Sequence, residues 1–250
     1  NEIYDEIDNK KRMEAIKEGR RFCQIARDIS RKKPIIIWKG GKTEWGVKAA
    51  ASHTGALAGS SKVFNAALTQ TGVISANSAE ELLDILQAFH YLPLPKGRRV
   101  AIITGPGGPA VGTSDACVEV SLEIAQLSQQ SKDRITKLLP SIGTSTDNPV
   151  DMGMATMFFP QWYIESIKVL ADDEGVDMLL VIGASLTPDF GKLAAETALA
   201  SGKPLALATV PGLTGEQILP TRGLAIFSDG RRAAIALGKL VGYQQFLGSI

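Results

Sequence analysis

The chain has 250 residues, which is room for one large domain or two domains of ordinary size. Hydrophobic residues make up 44% and charged residues 21%, which is typical of a folded globular protein and excludes a disordered chain. The 27 basic and 26 acidic residues nearly balance, so we expect no nucleic-acid partner, and no apolar run predicts a membrane span. Cys23 and Cys117 are too few for a disulfide framework or a metal cluster, so we expect no metal site and a cytoplasmic setting.

The first 93 residues predict a domain in which helices alternate with short strands. Helices are predicted at 16–29, 60–72 and 78–89, and strands at 34–38 and 73–75. Ser78 and Glu81 have the spacing of a capping box at the start of the last helix. The run PLPKG at 93–97 interrupts this pattern. We therefore predict two domains, at 1–93 and 94–250.

Beyond this boundary, apolar strands and helices alternate along the chain. Strands are predicted at 99–104, 122–127, 178–183, 205–209 and 224–226, and helices at 109–120, 131–139, 159–171, 190–201 and 229–246. This alternation is typical of a flavodoxin-like α/β domain, a parallel sheet with helices on both faces. Ligands of such sheets bind at the carboxyl ends of the strands. The candidate ligand loops are therefore 104–109, 146–157, 184–189 and 209–215.

The run SHTGALAG at 52–59 is the most informative stretch of the chain. His53 is one of only 2 histidines, and its neighbours are small. A loop of small residues lets the backbone approach a ligand closely. Imidazole can act as a nucleophile or a proton carrier near neutral pH. His53 is therefore a candidate functional residue, with a surface histidine as the alternative, whereas His90 follows an amphipathic helix and is predicted to be a surface residue.

Gly105, Gly107 and Gly108 lie in a predicted turn between a strand and a helix. The free N–H groups of a helix N-terminus favour an anion, so this turn predicts a phosphate site. Together with Ala110, two of these glycines match a G-x-G-x-x-A dinucleotide pattern. Two prolines remove N–H groups from the turn. A dinucleotide site also needs an acidic residue at the end of the next strand to bind the ribose, whereas the candidate, Glu123, is predicted at the start of that strand. We therefore favour phosphate over a dinucleotide as the ligand. The alternative that the turn binds no ligand and needs glycine only for steric reasons stays open.

Two weaker motifs were considered for ligand binding. The run GGKT at 40–43 lacks the first glycine of a Walker loop, because that position is Ile36, so we exclude a P-loop. Asn148 and Asp151 lie in a loop rich in Ser, Thr and Gly. Asp151 is a candidate to orient a ligand or to cap a helix, and both alternatives stay open.

Several of these segments together resemble one known family. They are EAIKEGRRF at 14–22, KPIII at 33–37, KGGKTE at 39–44, SHTGALAG at 52–59, GPGGP at 105–109 and NPVD at 148–151. The first four are similar to the NDP-forming acyl-CoA synthetases, relatives of succinyl-CoA synthetase that include the ADP-forming acetyl-CoA synthetase α subunit. The last two resemble the second CoA-ligase domain of these enzymes. The resemblance implies two flavodoxin-like domains of CoA-ligase type.

The resemblance also implies roles for individual residues. His53 would accept a phosphoryl group from an acyl phosphate and pass it to ADP, and Glu14 would hold the imidazole. A carboxylate on one ring nitrogen would fix the tautomer and leave the other nitrogen as the nucleophile. The phosphorylated ring would be cradled by helix N-termini. The phosphate-binding residues implied are Ser52, Thr54, Gly55, Gly105, Gly107 and Gly108, and Asn148 and Asp151 are candidate ligand contacts.

The reaction implied is acid + CoA + ATP = acyl-CoA + ADP + phosphate. The family carries no tightly bound cofactor, takes CoA, ATP/ADP and a small carboxylic acid as substrates, and uses Mg²⁺ at an ATP-grasp unit. We expect that ATP-grasp domain or subunit and a Rossmann-type CoA-binding domain outside these residues, and an oligomer. Two alternatives are a non-catalytic acyl-CoA-binding or regulatory relative and a dinucleotide-dependent oxidoreductase that uses the glycine turn.

Overall fold

A computed structural model describes most of the chain. The described residues are 18–41, 43–46, 48–49, 61–105, 107–140, 143–153, 159–183, 187–210 and 218–249. Five candidate site residues therefore lie outside the described residues, namely Glu14, Ser52, His53, Thr54 and Gly55. Over the described ranges, no helix combines the length and the apolar character that a membrane span requires.

The chain divides into two compact units. The first comprises Asn1–Ile85 with Phe246–Ile250, and the second comprises Leu86–Gln245. The division falls within a helix that precedes the PLPKG run at 93–97. The domain limits 1–93 and 94–250 stay a prediction.

The first unit is built around two parallel strands. Its elements in chain order are α1 (Gly19–Ser30), β1 (Ile36–Trp38), α2 (Ser61–Thr71), β2 (Ile74–Ala76) and the first part of α3 (Ala79–Tyr91). In β1 and β2, Ile36 lies opposite Ile74 and Trp38 lies opposite Ala76. Helices α1 and α2 contribute Ala26 and Leu68 to one small apolar core. The carboxyl ends of both strands therefore lie at one edge of this sheet.

The start of α3 confirms the predicted helix cap. The N–H of Glu81 donates to the hydroxyl of Ser78 over 3.1 Å. The Glu81 carboxylate in turn accepts from the N–H of Asn77, one residue ahead of the cap, over 3.0 Å. Side-chain oxygens thus satisfy backbone donors at this helix end.

The second unit is a parallel sheet with helices on both faces, as the strand–helix alternation predicted. Its strands are β3 (Arg99–Thr104), β4 (Glu123–Ile124), β5 (Val150–Asp151), β6 (Met178–Gly183), β7 (Leu205–Thr209) and β8 (Leu224–Phe227). Its helices are α4 (Gly107–Glu119), α5 (Gln129–Thr136), α6 (Gln161–Asp172), α7 (Pro188–Ser201) and α8 (Gly230–Gly248), with the end of α3. The strand order is β4-β3-β6-β7-β8, and β5 pairs with β3 beside β4.

Alternate residues of the central strands face opposite apolar cores. Ala101 and Ile103 of β3 belong to a core with Tyr163 and Ile167 of α6. Val100 and Ile102 belong to the other core, with α4 and α8. Because both faces are covered, β3 and β6 are continuous apolar runs, which is why their bounds agree with the sequence prediction.

The edge strand β8 is closed by a side chain of α3. The Gln87 amide donates to the carbonyl oxygen of Ile226 over 2.7 Å and accepts from the Ile226 N–H over 2.8 Å. A primary amide carries one donor and one acceptor side by side, as the next strand would. Gln87 therefore satisfies one N–H and one carbonyl oxygen at the outer edge of β8, which pairs with no further strand among the described residues.

Candidate functional site

The glycine turn, Asp151 and the end of β6 share one edge of the larger sheet. Thr104 ends β3, lies opposite both Asp151 of β5 and Ile182 of β6, and is fully buried. The N–H of Gly105 donates to the carbonyl oxygen of Ile182 over 3.4 Å. Since the strands are parallel, this is the carboxyl edge, where such sheets bind ligands.

Helix α4 begins at the turn and presents an open N-terminus beside Gly108. A Cβ atom added at Gly108 would meet nothing within 4 Å, and the residue is exposed. The first turn of α4 contains no acidic residue. Its backbone N–H groups and the positive end of its dipole can therefore attract an anion on the Gly108 side.

Beside Gly107, the Asp151 side chain fills the space next to the start of α4. A Cβ atom there would lie 2.6 Å from Oδ2 of Asp151. The other carboxylate oxygen of Asp151 accepts from the N–H of Gly153 over 2.9 Å, which fixes the orientation of the side chain. Only glycine leaves room for this carboxylate against the helix start.

Asp151 ends β5, and its carboxylate lies beside the first residue of α4. Its backbone exchanges two hydrogen bonds with Ser145, of 2.7 and 3.0 Å. The next residue, Met152, donates from its N–H to the carbonyl oxygen of Thr104 over 2.9 Å. These bonds hold the Asp151 carboxylate at the ligand edge of the sheet, where it adds negative charge near the N-terminus of α4.

The Asn148 side chain connects its own segment to β3 and to Ala125, the residue after β4. Its Oδ1 accepts from the N–H of Ile102 over 2.9 Å. Its amide nitrogen donates to the carbonyl oxygens of Val100 and Ala125, over 2.8 and 2.9 Å. Both amide hydrogens are thereby used within the sheet. In this structure Asn148 joins strands, and its ligand contact stays a prediction.

Glu123 lies at the opposite edge from the glycine turn. It begins β4 opposite Arg99, and its carboxylate forms an ion pair of 3.1 Å with Arg98. A dinucleotide with its pyrophosphate at the turn would need the acidic residue at the carboxyl edge. The position of Glu123 therefore argues against the dinucleotide alternative.

A bidentate ion pair also lies at this amino edge. The Arg99 guanidinium donates to both carboxylate oxygens of Asp177, each over 2.9 Å. These hydrogen bonds hold the pKa of Asp177 below its ordinary value, against the opposing effect of burial. The pair ties the starts of β3 and β6 together, and its role is structural.

The two cysteines and His90 differ in their burial. Burial raises the pKa of the Cys117 thiol to about 12, whereas Cys23 is half-buried, and both cysteines are free. His90 is exposed at the end of α3, which confirms its predicted surface position. Among the described residues, no group of three or more His, Cys, Asp or Glu side chains could hold a metal ion.

The chain matches two family models in the order of its two units. Residues 12–89 match the succinyl-CoA ligase like flavodoxin domain, and residues 100–198 match the ligase-CoA domain. Much of the chain is thus covered by domains described from CoA ligases.

Curated relatives carry the same two segments. The chain is 38% identical over 240 residues to the α subunit of ADP-forming acetate–CoA ligase II of Pyrococcus furiosus, covering 92% of this chain and 52% of the relative. It is 30% identical to the ADP-forming 4-hydroxybutyrate–CoA ligase of Nitrosopumilus maritimus, covering 95% of this chain and 35% of the relative. The chain spans about half the length, or less, of these relatives.

A solved structure has the same fold. It is an acetyl-coenzyme A synthetase 1 of Ca. Korarchaeum cryptofilum in complex with phosphate and ADP, with a TM-score of 0.82 and 27% sequence identity. The match covers 94% of this chain and 53% of that chain. The fold of this chain is therefore similar to that of about half of this acetyl-coenzyme A synthetase.

Proposed function

We propose that this chain, which belongs to the NDP-forming acyl-CoA synthetase family, supplies the phosphoryl-carrying part of an ADP-forming acid–CoA ligase. The complete reaction is acid + CoA + ATP ⇌ acyl-CoA + ADP + phosphate. The observation that carries the proposal is the identity of 38% to an acetate–CoA ligase α subunit across 92% of the chain. Because the chain covers only 52% of that relative, the complete enzyme would need segments beyond the two domains matched here.

His53 is the phosphoryl carrier in this proposal. A ring nitrogen attacks the γ-phosphorus of ATP, the bond to the bridging oxygen breaks, and ADP leaves. The carboxylate of the acid then attacks the same phosphorus, the P–N bond breaks, and the acyl phosphate formed reacts with the CoA thiol to release phosphate. Glu14 accepts the hydrogen on the other ring nitrogen and so orients the imidazole. Ser52, Thr54 and Gly55 bind the phosphoryl oxygens.

The N-terminus of α4 is the second phosphate-binding element of the proposal. Its support is the open space around Gly108 and the absence of an acidic residue in the first turn of α4. The Asp151 carboxylate beside Gly107 repels an anion on that side. A phosphate is therefore bound on the side of Gly108, with Gly105 allowing the tight approach from β3.

The remaining components follow from the family. The domains are 1–93, which carries the phosphohistidine loop, and 94–250. Partners are an ATP-grasp unit, where Mg²⁺ acts, and a Rossmann-type CoA-binding domain. The substrates are CoA, ATP and a small carboxylic acid, and the enzyme is a cytoplasmic oligomer without a tightly bound cofactor.

Incorporation of labelled phosphate tests the carrier. The chain is incubated with labelled ATP and its ATP-grasp partner, or with labelled acyl phosphate alone, and the label should be acid-labile and base-stable. His53→Ala and His53→Asn should abolish it, because neither side chain offers a nucleophilic nitrogen. Glu14→Gln should slow the labelling without abolishing it, since the nucleophile remains. The matched control is His90→Ala, which removes the other histidine from an exposed position and should label fully. Full labelling of His53→Ala would refute the proposal.

A pair of substitutions in α4 tests the second element. Gly108→Val places a side chain in the space proposed for phosphate and should reduce labelling. Gly112→Val makes the same change one turn further along the helix, at another exposed glycine with nothing within 4 Å, and should leave labelling unchanged. Equal labelling in the two variants would remove the N-terminus of α4 from the mechanism.

A further inference from the structure

Lys39 is a buried lysine at the ligand edge of the smaller sheet. It directly follows β1, so it lies at the carboxyl end of a parallel strand. Only 6% of its surface is exposed. Lysine is rarely buried to this extent unless its ammonium group is paired with an opposite charge.

The described surroundings supply only a partial partner for this ammonium group. Its Nζ lies 5.2 Å from the centroid of the Phe64 ring and 3.4 Å from the carbonyl oxygen of Gly40, its own neighbour. Among the described residues, no carboxylate oxygen lies within the 4.0 Å of an ion pair with it. A ring face and one long hydrogen bond compensate only part of the cost of removing an ammonium from water.

Lys48 shows what an ordinary lysine in this unit looks like. Its Nζ also lies over an aromatic ring, 4.7 Å from the centroid of Trp45. Both Lys48 and Trp45 are exposed, so water solvates the charge. The two lysines thus share a cation–π contact and differ in burial, which makes Lys48 a matched control.

We propose that Lys39 binds a phosphoryl dianion at the carboxyl edge of the β1–β2 sheet. The anion supplies the charge that the described residues do not, and the Phe64 ring, 5.2 Å from Nζ, helps to hold the ammonium in place. The identity of the anion rests on the proposed function, in which this chain carries a phosphoryl group. The binding itself does not depend on that function. Free phosphate and a phosphoryl group on the protein are the two sources of this ligand.

Thermal unfolding of the complete chain in inorganic phosphate tests the binding. A ligand of the native state raises the melting temperature with its concentration. We expect phosphate to stabilise the wild type and the Lys48→Met variant equally, at constant ionic strength. Lys39→Met keeps an apolar stem of similar length and should weaken phosphate binding at least about tenfold, as expected for the loss of a charge-assisted hydrogen bond. No stabilisation of the wild type either by inorganic phosphate or by labelling from acyl phosphate, or an unchanged response of Lys39→Met, overturns the proposal.

A measurement on the wild type covers the case in which Lys39→Met does not fold. Acetylation of individual lysines by acetic anhydride is followed by mass spectrometry with and without phosphate. Phosphate should slow the acetylation of Lys39 relative to that of Lys48. Equal effects on both lysines overturn the proposal.

The two sources of the phosphoryl group, and the two proposals, are separated by His53→Asn. This variant cannot carry a phosphoryl group but should keep the phosphate response if Lys39 binds free phosphate. If the wild type is stabilised only after labelling from acyl phosphate, and His53→Asn is not stabilised, Lys39 binds the phosphoryl group that the protein itself carries. If labelling proves independent of His53 while Lys39→Met still loses the phosphate response, the proposed carrier fails and the Lys39 site stands.

Discussion

An alanine at position 107 tests the packing of Asp151 against the start of α4. The new Cβ would lie 2.6 Å from Oδ2 of Asp151, so the carboxylate must rotate away. Rotation breaks the hydrogen bond of 2.9 Å from the N–H of Gly153, and bonds to charged groups contribute about 1.5–3 kcal/mol. Alanine returns about 0.5–1 kcal/mol through its higher helix propensity. We expect Gly107→Ala to lower the free energy of unfolding by about 0.5–2.5 kcal/mol.

A double-mutant cycle isolates this contact from the helix propensity. In an Asp151→Ala background the obstacle is gone, so Gly107→Ala should become neutral or stabilising. The coupling free energy between the two positions should be about 1–3 kcal/mol, within the range of directly contacting pairs. Gly112→Ala is the control, because its Cβ meets nothing within 4 Å. It should stabilise the chain by about 0.5–1 kcal/mol in both backgrounds.

The assay is urea unfolding followed by far-UV circular dichroism, with the same m value required for all variants. Additive effects of Gly107→Ala and Asp151→Ala would refute the reasoning. Such a result would mean that the carboxylate does not occupy the space beside the helix start, and the charge assigned there would have to be withdrawn.

Three further outcomes follow from contacts elsewhere in the chain. The pKa of Asp177 is lowered chiefly by its hydrogen bonds with Arg99, so its contribution to stability is complete above the unfolded pKa of about 3.9 and is lost as pH falls through the folded pKa. Asp177→Asn should therefore unfold more easily than the wild type at pH 7, and the difference should narrow below about pH 4; a gap independent of pH would contradict this. Gln87→Leu should cost about 1–3 kcal/mol in urea unfolding, because it leaves an N–H and a carbonyl oxygen of β8 without their partner, and an unchanged midpoint would count against the contact. A thiol reagent at pH 8 should label Cys23 in the native chain but Cys117 only on unfolding, since the buried Cys117 has a pKa of about 12; early labelling of Cys117 would show that it is accessible.

The larger sheet was predictable where burial is continuous along the sequence. Strands β3, β6 and β7 have the predicted bounds because uninterrupted apolar runs define them. The prediction was wrong for the strand at 122–127, which in the structure is only Glu123–Ile124. Beyond Ala125, the Asn148 side chain takes the ladder positions on β3. No local sequence pattern predicts that a side chain will replace strand residues in this way.

The site was predictable only in part, because some of its contacts join distant segments. The strand–helix turn at Gly107 follows from the local sequence. Its contact with Asp151 depends on β5, whose two residues are too few to show a period. The burial of Lys39 was also missed, because lysine is ordinarily a surface residue and its cover comes from tertiary structure.

The outer edge of β3 pairs with two strands that lie far apart in the sequence, β4 and β5. Strand β4 pairs with its first residues and β5 with its last, and Asn148 closes the gap between them. On this outer edge, the half of β3 that leads to the glycine turn pairs with β5 and not with β4, while its inner edge pairs with β6. We expect substitutions in β4 to leave the turn in place, and substitutions in 143–153 to act on the strand that pairs beside it. Among related sequences, we expect the turn to covary with 143–153 and to vary independently of β4.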